Sequence, residues 1–128
     1  MAVQFPSAAW CAEATVRLAQ CVYDGPSGSV EVTLSGAPQG VDRYAVVFVA
    51  GSAPTYRPGA MPEADASFDQ PWADAVAHLA GTYDPAVGFM QGQLKSKGST
   101  RPLFELFQWW ARAEVREALA GIGAASSA

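Results

Sequence analysis

Residues Ala64 to Gly98 read ADASFDQPWADAVAHLAGTYDPAVGFMQGQLKSKG, and this stretch decides the fold. Ala64 to Phe68 alternates as a strand. Asp69 is a good N-cap residue, and Pro71 falls in a first helical turn, where its missing N–H is harmless. Trp72, Val76 and Leu79, with Ala75 between them, then form one apolar helical face that Gly81 terminates. Asp84-Pro85 repeats the cap-plus-proline signal and opens a short helix through Val87, Phe89 and Met90, with Gly92 in the C′ role. Gln93 to Lys97 alternates as an edge-like strand, with Gln93, Lys95 and Lys97 on one face and Leu94 and Ser96 on the other.

Working outward, Ser7 caps a helix running to about Gln20, and the turn DGPSG (Asp24 to Gly28) follows it. Ser29 to Leu34 alternates Val30, Val32 and Leu34 against Glu31 and Thr33, giving a strand with one wet face. Arg43 to Ala50 is a continuous apolar run rich in β-branched residues, which predicts a central strand covered on both sides. The two strands make an antiparallel meander, and Thr55 to Arg57 adds a short one. After Gly98, Ser99 or Thr100 caps one long last helix carrying Leu103, Phe104, Leu106, Phe107, Trp109, Trp110, Val115 and Leu119. Gly121 to Ala128 is expected to fray. The sum is an α+β domain: about five mainly antiparallel strands with helices packed on one face.

The chain has 128 residues, enough for a single domain with its own core, and the expected boundaries are 1–128 with 119–128 as a frayed tail. Half of the residues are hydrophobic and only 16% are charged, against about 25% in ordinary globular domains. Apolar surface is therefore hidden in a core, a cavity or a partner. A net charge of −4 leaves no electrostatic footprint for nucleic acid. No apolar run approaches the ~20 residues of a membrane span, and no signal peptide is visible, so a cytoplasmic location is expected. Cys11 and Cys21, about 15 Å apart if both lie on one helix, are beyond the ~7 Å reach of a disulfide. They are expected to be reduced, partly buried thiols.

The residues just placed resemble the sterol carrier protein type 2 family, also called nonspecific lipid-transfer proteins. The densest match is Asp84-Pro85 followed by Phe89-Met90-Gln91-Gly92-Gln93-Leu94-Lys95, which follows that family's pattern of a helix ending in FMxGKLKxxG. Gln93 stands where lysine is common, and Ser96 where an aliphatic residue is common. The order of elements agrees over nearly the whole chain. The resemblance implies a five-stranded sheet whose covering helices enclose a hydrophobic tunnel for fatty acids, fatty acyl-CoA, sterols or phospholipids. It also implies action as a transfer protein or as an accessory domain presenting lipid to an enzyme.

Candidate cavity-lining residues are Phe48, Phe68, Trp72, Val76, Leu79, Phe89, Met90, Leu94, Leu103, Phe104, Phe107 and Trp110. Each of them could equally fill the core. A last helix that is apolar almost all round in its first half cannot bury every face against one sheet, so a cavity, a dimer interface or a lipid-enzyme partner absorbs the excess. Arg101 and Arg17 are the candidates for an anionic head group, with Arg57, Lys95 and Lys97 as lesser ones and a solvated surface charge as the plainer reading of each. Arg101 adjoins a helix N-terminus, whose free N–H groups favour anions. His78 sits off the Trp72–Val76–Leu79 stripe and is expected at the surface.

The chain carries no GxSxG, no metal-ligand cluster and no phosphate loop, so no cofactor is expected and an enzyme is not. The rival enzymatic reading is a small isomerase or cyclase for a hydrophobic substrate, using Tyr44, Tyr83 or Asp65 at a shifted pKa. Binding of a hydrophobic small molecule or lipid remains the leading reading.

Overall fold

The computed structural model describes residues 5, 7–37, 40–92 and 94–126, with side chains at 5, 7–36, 42–92 and 94–122. Five strands, β1 (Gly28–Ala37), β2 (Gly40–Phe48), β3 (Thr55–Pro58), β4 (Ala66–Pro71) and β5 (Lys95–Gly98), form one sheet in the order β3-β2-β1-β4-β5. The meander expected from the alternation is present: β1 pairs antiparallel with β2, and β2 with β3. β4 lies parallel to β1, and β5 closes the far edge antiparallel to β4. The sheet is therefore open and mixed, in an α+β fold.

Val30, Val32 and Leu34 of β1, Tyr44, Val46 and Phe48 of β2, and Phe68 of β4 are buried on the inner face. On the outer face, the Glu31 carboxylate accepts a hydrogen bond from the Met61 N–H at 2.6 Å, which ties the β3–β4 connection across the sheet. Ala45 is buried on that side, whereas Val47 is half-exposed and Val49 exposed. The apolar run of β2 is thus central, but only its middle is covered on both faces.

The helical layer comprises α1 (Ala8–Arg17), α2 (Trp72–Leu79), α3 (Pro85–Met90), α4 (Thr100–Trp110) and α5 (Ala113–Ser126). α1 packs against β3, α2 and α4 pack against β1 and β4, and α5 packs against α1 and α2. Ser7 caps α1 as expected, its hydroxyl accepting from the Trp10 N–H at 3.0 Å. Asp84 caps α3 through the Ala86 N–H, also at 3.0 Å, with Pro85 at the first position. Gly81 and Gly92 follow α2 and α3 at φ 84° and 76°, conformations that only glycine adopts without strain.

Two expectations fail, each where tertiary packing overrides a local signal. Asp69 is not a cap. β4 continues to Pro71, so Asp69 sits in register between Thr33 and Lys95, and Pro71 itself precedes α2 without a side-chain cap bond. The last helix is two helices. The Arg112 guanidinium donates to the Val22 carbonyl at 2.8 Å and the Trp109 indole to the Cys21 carbonyl at 3.0 Å. Those bonds hold the end of α4 to the segment after α1 and let the chain turn into α5. In the expected tail, α5 continues to Ser126 with Leu119 and Ile122 buried. The expected strand start at Gln93 lies outside the described residues, and β5 is described from Lys95.

Cys11 and Cys21 are free thiols, both buried. Burial, with a smaller contribution from the Asp42 carboxylate, pushes the Cys11 thiol up to about 12. It is accordingly a poor nucleophile at neutral pH.

Candidate functional site

α2, the turn that follows it, α4 and α5 enclose a cavity of about 260 Å³. Its floor is made of buried side chains, Phe107 and Trp110 from α4 and Leu119 from α5. Its mouth is polar and exposed, with Gly81, Thr82 and Asp84 on the turn and Arg116 on α5. Tyr83 and His78 stand between floor and mouth. A shallower depression of about 500 Å³ shares Thr82, Tyr83 and Asp84 and extends over Asp74, Val87 and Gln91.

His78 corrects an expectation. The Trp72–Val76–Leu79 stripe leaves it on another face of α2, but that face is covered too, because α5 packs on it. The imidazole lies edge-on to the Trp110 indole with ring centroids 4.5 Å apart. Burial lowers its pKa to about 4; Asp84 opposes that shift and Arg116 adds to it. At neutral pH the ring is therefore uncharged and offers one donor and one acceptor. Burial raises the Tyr83 phenol, with Asp74 and Asp84 contributing in the same direction.

Of the residues expected to line a cavity, Phe107 and Trp110 do so here. Phe68 backs them from the sheet, with centroids 5.8 and 6.2 Å away. Phe89 extends the cluster to Phe107 at 6.1 Å and Phe104 at 5.4 Å. Phe48, Leu79, Leu94 and Leu103 are buried core residues away from the cavity wall, and Trp72 and Val76 pack on the core margin. Phe48 belongs to another part of the core, against Tyr23 at 5.0 Å.

Met90 is 84% exposed and does not line an interior space, because α3 turns it outward while Phe89 points in. Phe104 is 43% exposed. Neither expected head-group arginine reaches the cavity. Arg17 pairs with Glu13 at 2.7 Å, and Arg101 donates to the Ser27 carbonyl at 3.1 Å. Arg57, Lys95 and Lys97 lie exposed on β3 and β5. The cation at the mouth is Arg116, which shares a face of α5 with Leu119 three residues on. That spacing was readable once α5 was separated from α4.

The enzymatic candidates do not gather. Tyr44 is buried in stacked contact with Tyr56 at 5.8 Å, and burial drives its phenol well above the ordinary value. Asp65 accepts from the Ser29 N–H at 3.0 Å, a structural tie between β1 and the start of β4. Tyr83 is at the cavity. Among the described residues no group of His, Cys, Asp or Glu could hold a metal ion, and no helix is long and apolar enough to cross a membrane.

Solved structures of the same fold show what this arrangement is similar to. A crystal structure of sterol carrier protein 2 aligns with a TM-score of 0.62 at 20% identity, covering 91% of this chain and 98% of that one. The solution structure of palmitated SCP2L2 from Aedes aegypti aligns at 0.60 with 17% identity, covering 88% and 96%. A double mutant of the sec-alkyl sulfatase PisA1 aligns at 0.53 with 20% identity over 74% of this chain, but over only 14% of that one. No protein-family model and no curated relative matches the sequence. The chain has the sterol carrier protein 2 fold: an open, mixed five-stranded sheet with helices.

Proposed function

We propose that this protein binds a hydrophobic ligand, of the fatty acid, fatty acyl-CoA, sterol or phospholipid kind, and carries it inside the cell without transforming it. One observation carries the reading. The aromatic floor of the cavity, Phe107 and Trp110, continues without a polar break onto Phe68 of the sheet, beneath a mouth that holds the polar groups. A ligand with an apolar body and a polar end fits that gradient. The likeness in fold to palmitated SCP2L2 supports it.

The energetics are sufficient. A sixteen-carbon chain gains on the order of 0.8 kcal/mol per buried CH₂, and association removes several kcal/mol of the roughly 12 kcal/mol total. Micromolar affinity corresponds to about 8 kcal/mol, so no special polar chemistry is needed.

Native mass spectrometry of the purified protein with palmitate, palmitoyl-CoA and cholesterol tests the proposal. Saturable uptake of one equivalent of at least one of them is expected, and uptake of none contradicts it. A second reading, docking to a lipid enzyme or to a second copy, rests on Val87, Met90 and Phe104, large apolar side chains exposed on α3 and α4. Sedimentation velocity checks the self-association form of it.

A further inference from the structure

We infer, resting on the binding function above, that Arg116 and His78 form the head-group clamp of the α2–α5 cavity. The clamp selects a single carboxylate on an apolar body, a fatty acid anion, over an alcohol, a sterol or an acyl-CoA. Both residues line the cavity itself, Arg116 from α5 and His78 from α2, above the buried rings of Phe107 and Trp110. A ligand whose apolar body rests on those rings brings its polar end to this pair.

Both groups are available to a ligand. Arg17, Arg101 and Arg112 each engage a protein acceptor, namely Glu13, the Ser27 carbonyl and the Val22 carbonyl. The Arg116 guanidinium has no acceptor and no ion pair among the described residues. Asp84, the carboxylate on the same rim, instead accepts from the Ala86 N–H at 3.0 Å. His78 sets its ring edge-on to Trp110, and neither ring nitrogen bonds to another described residue.

The donors and the charge set the ligand chemistry. The two oxygens of a carboxylate accept the fork of a guanidinium, and an imidazole N–H donates to one of them as well. His78 is neutral at neutral pH, so the clamp carries one positive charge and matches one carboxylate. A hydroxyl end gains a hydrogen bond there but nothing from the charge. An acyl-CoA brings several phosphate charges to a mouth that holds Asp84, with Asp74 in the adjoining depression, on a chain of net charge −4. One guanidinium does not offset that repulsion.

Calorimetric titration of the wild type, Arg116→Gln and Arg116→Glu with decanoate, 1-decanol and decanoyl-CoA at pH 7 tests the clamp. The wild type is expected to bind decanoate more tightly than either other probe. Arg116 is exposed, so both variants keep the fold. Arg116→Gln should weaken decanoate about fivefold, the scale of a charge-assisted hydrogen bond at a solvent-facing mouth. Arg116→Glu should weaken it further, and both should stay within about twofold for decanol. Unchanged decanoate affinity in the variants, or an equal loss for decanoate and decanol, overturns the clamp and leaves the binding function standing. A wild type that prefers decanol or decanoyl-CoA does the same. Uptake of none of the three probes by the wild type overturns both. Saturation of the wild type with decanoate must also move the His78 imidazole resonances, and their staying in place overturns the clamp as a pair.

Discussion

The two ends of the helical layer are both aromatic, yet they are built for different purposes. At the α1 end, Phe5, Trp10, Tyr44 and Tyr56 meet edge to face or stacked at 4.6 to 6.0 Å. All four are buried, each ring packed against at least two of the others. At the α5 end, Phe107, Trp110 and Leu119 are equally buried, but they face a void with His78 and Arg116 around it. Aromatic content therefore does not separate a core from a ligand wall. The separation comes from what stands opposite the rings: other rings at one end, and a polar rim at the other.

The largest expected effect breaks the filled end. Trp10→Ala should cost about 3–5 kcal/mol in urea denaturation, since the ring is wholly buried and its neighbours cannot collapse into the gap. Next comes the open end, where the sensitivity is to pH. His78 titrates near 4 in the folded chain against 6.5 unfolded, so the unfolded state takes up the proton first. The neutral imidazole's contribution is complete above about pH 6.5 and is lost as pH falls toward 4, a change on the order of 3 kcal/mol. His78→Leu should abolish that part of the pH dependence of unfolding, whereas Trp10→Ala should retain it.

A smaller effect belongs to the turn that forms the mouth. Asp84→Ala removes the cap of α3 and should cost about 1 kcal/mol, read as a lower denaturation midpoint. Met90→Lys, on neither end, should change stability by less than about 0.5 kcal/mol. A sedimentation coefficient that falls in Met90→Lys would identify the α3 face as a contact between copies.

The sequence made the punctuation legible, and with it most of the fold. The Ser7 and Asp84 side chains bond to backbone N–H groups two or three residues on, and Pro85, Gly81 and Gly92 fix their own backbone angles, so the elements they bound lie where local chemistry puts them. Asp69 misled because a cap signal and strand alternation overlap at Ala66–Phe68–Gln70, and pairing with β1 decided between them. The break between α4 and α5 left no glycine or proline to read, being held by Trp109 and Arg112 bonded to residues 21 and 22. The site was legible in part for the same reason. Phe107 and Trp110 announce themselves as an apolar excess, but His78 and Arg116 join them only once α5 folds back over α2.

On the proposed function, a lipid enters at the α2–α5 cavity. The most direct test is titration of palmitate into the wild type and into Thr82→Trp, which places an indole in the mouth while leaving both aromatic ends untouched. Saturable binding of one palmitate by the wild type is expected, with at least about tenfold weaker binding by Thr82→Trp, a loss of about 1.4 kcal/mol. Equal binding by the two proteins, or none by the wild type, would contradict that expectation.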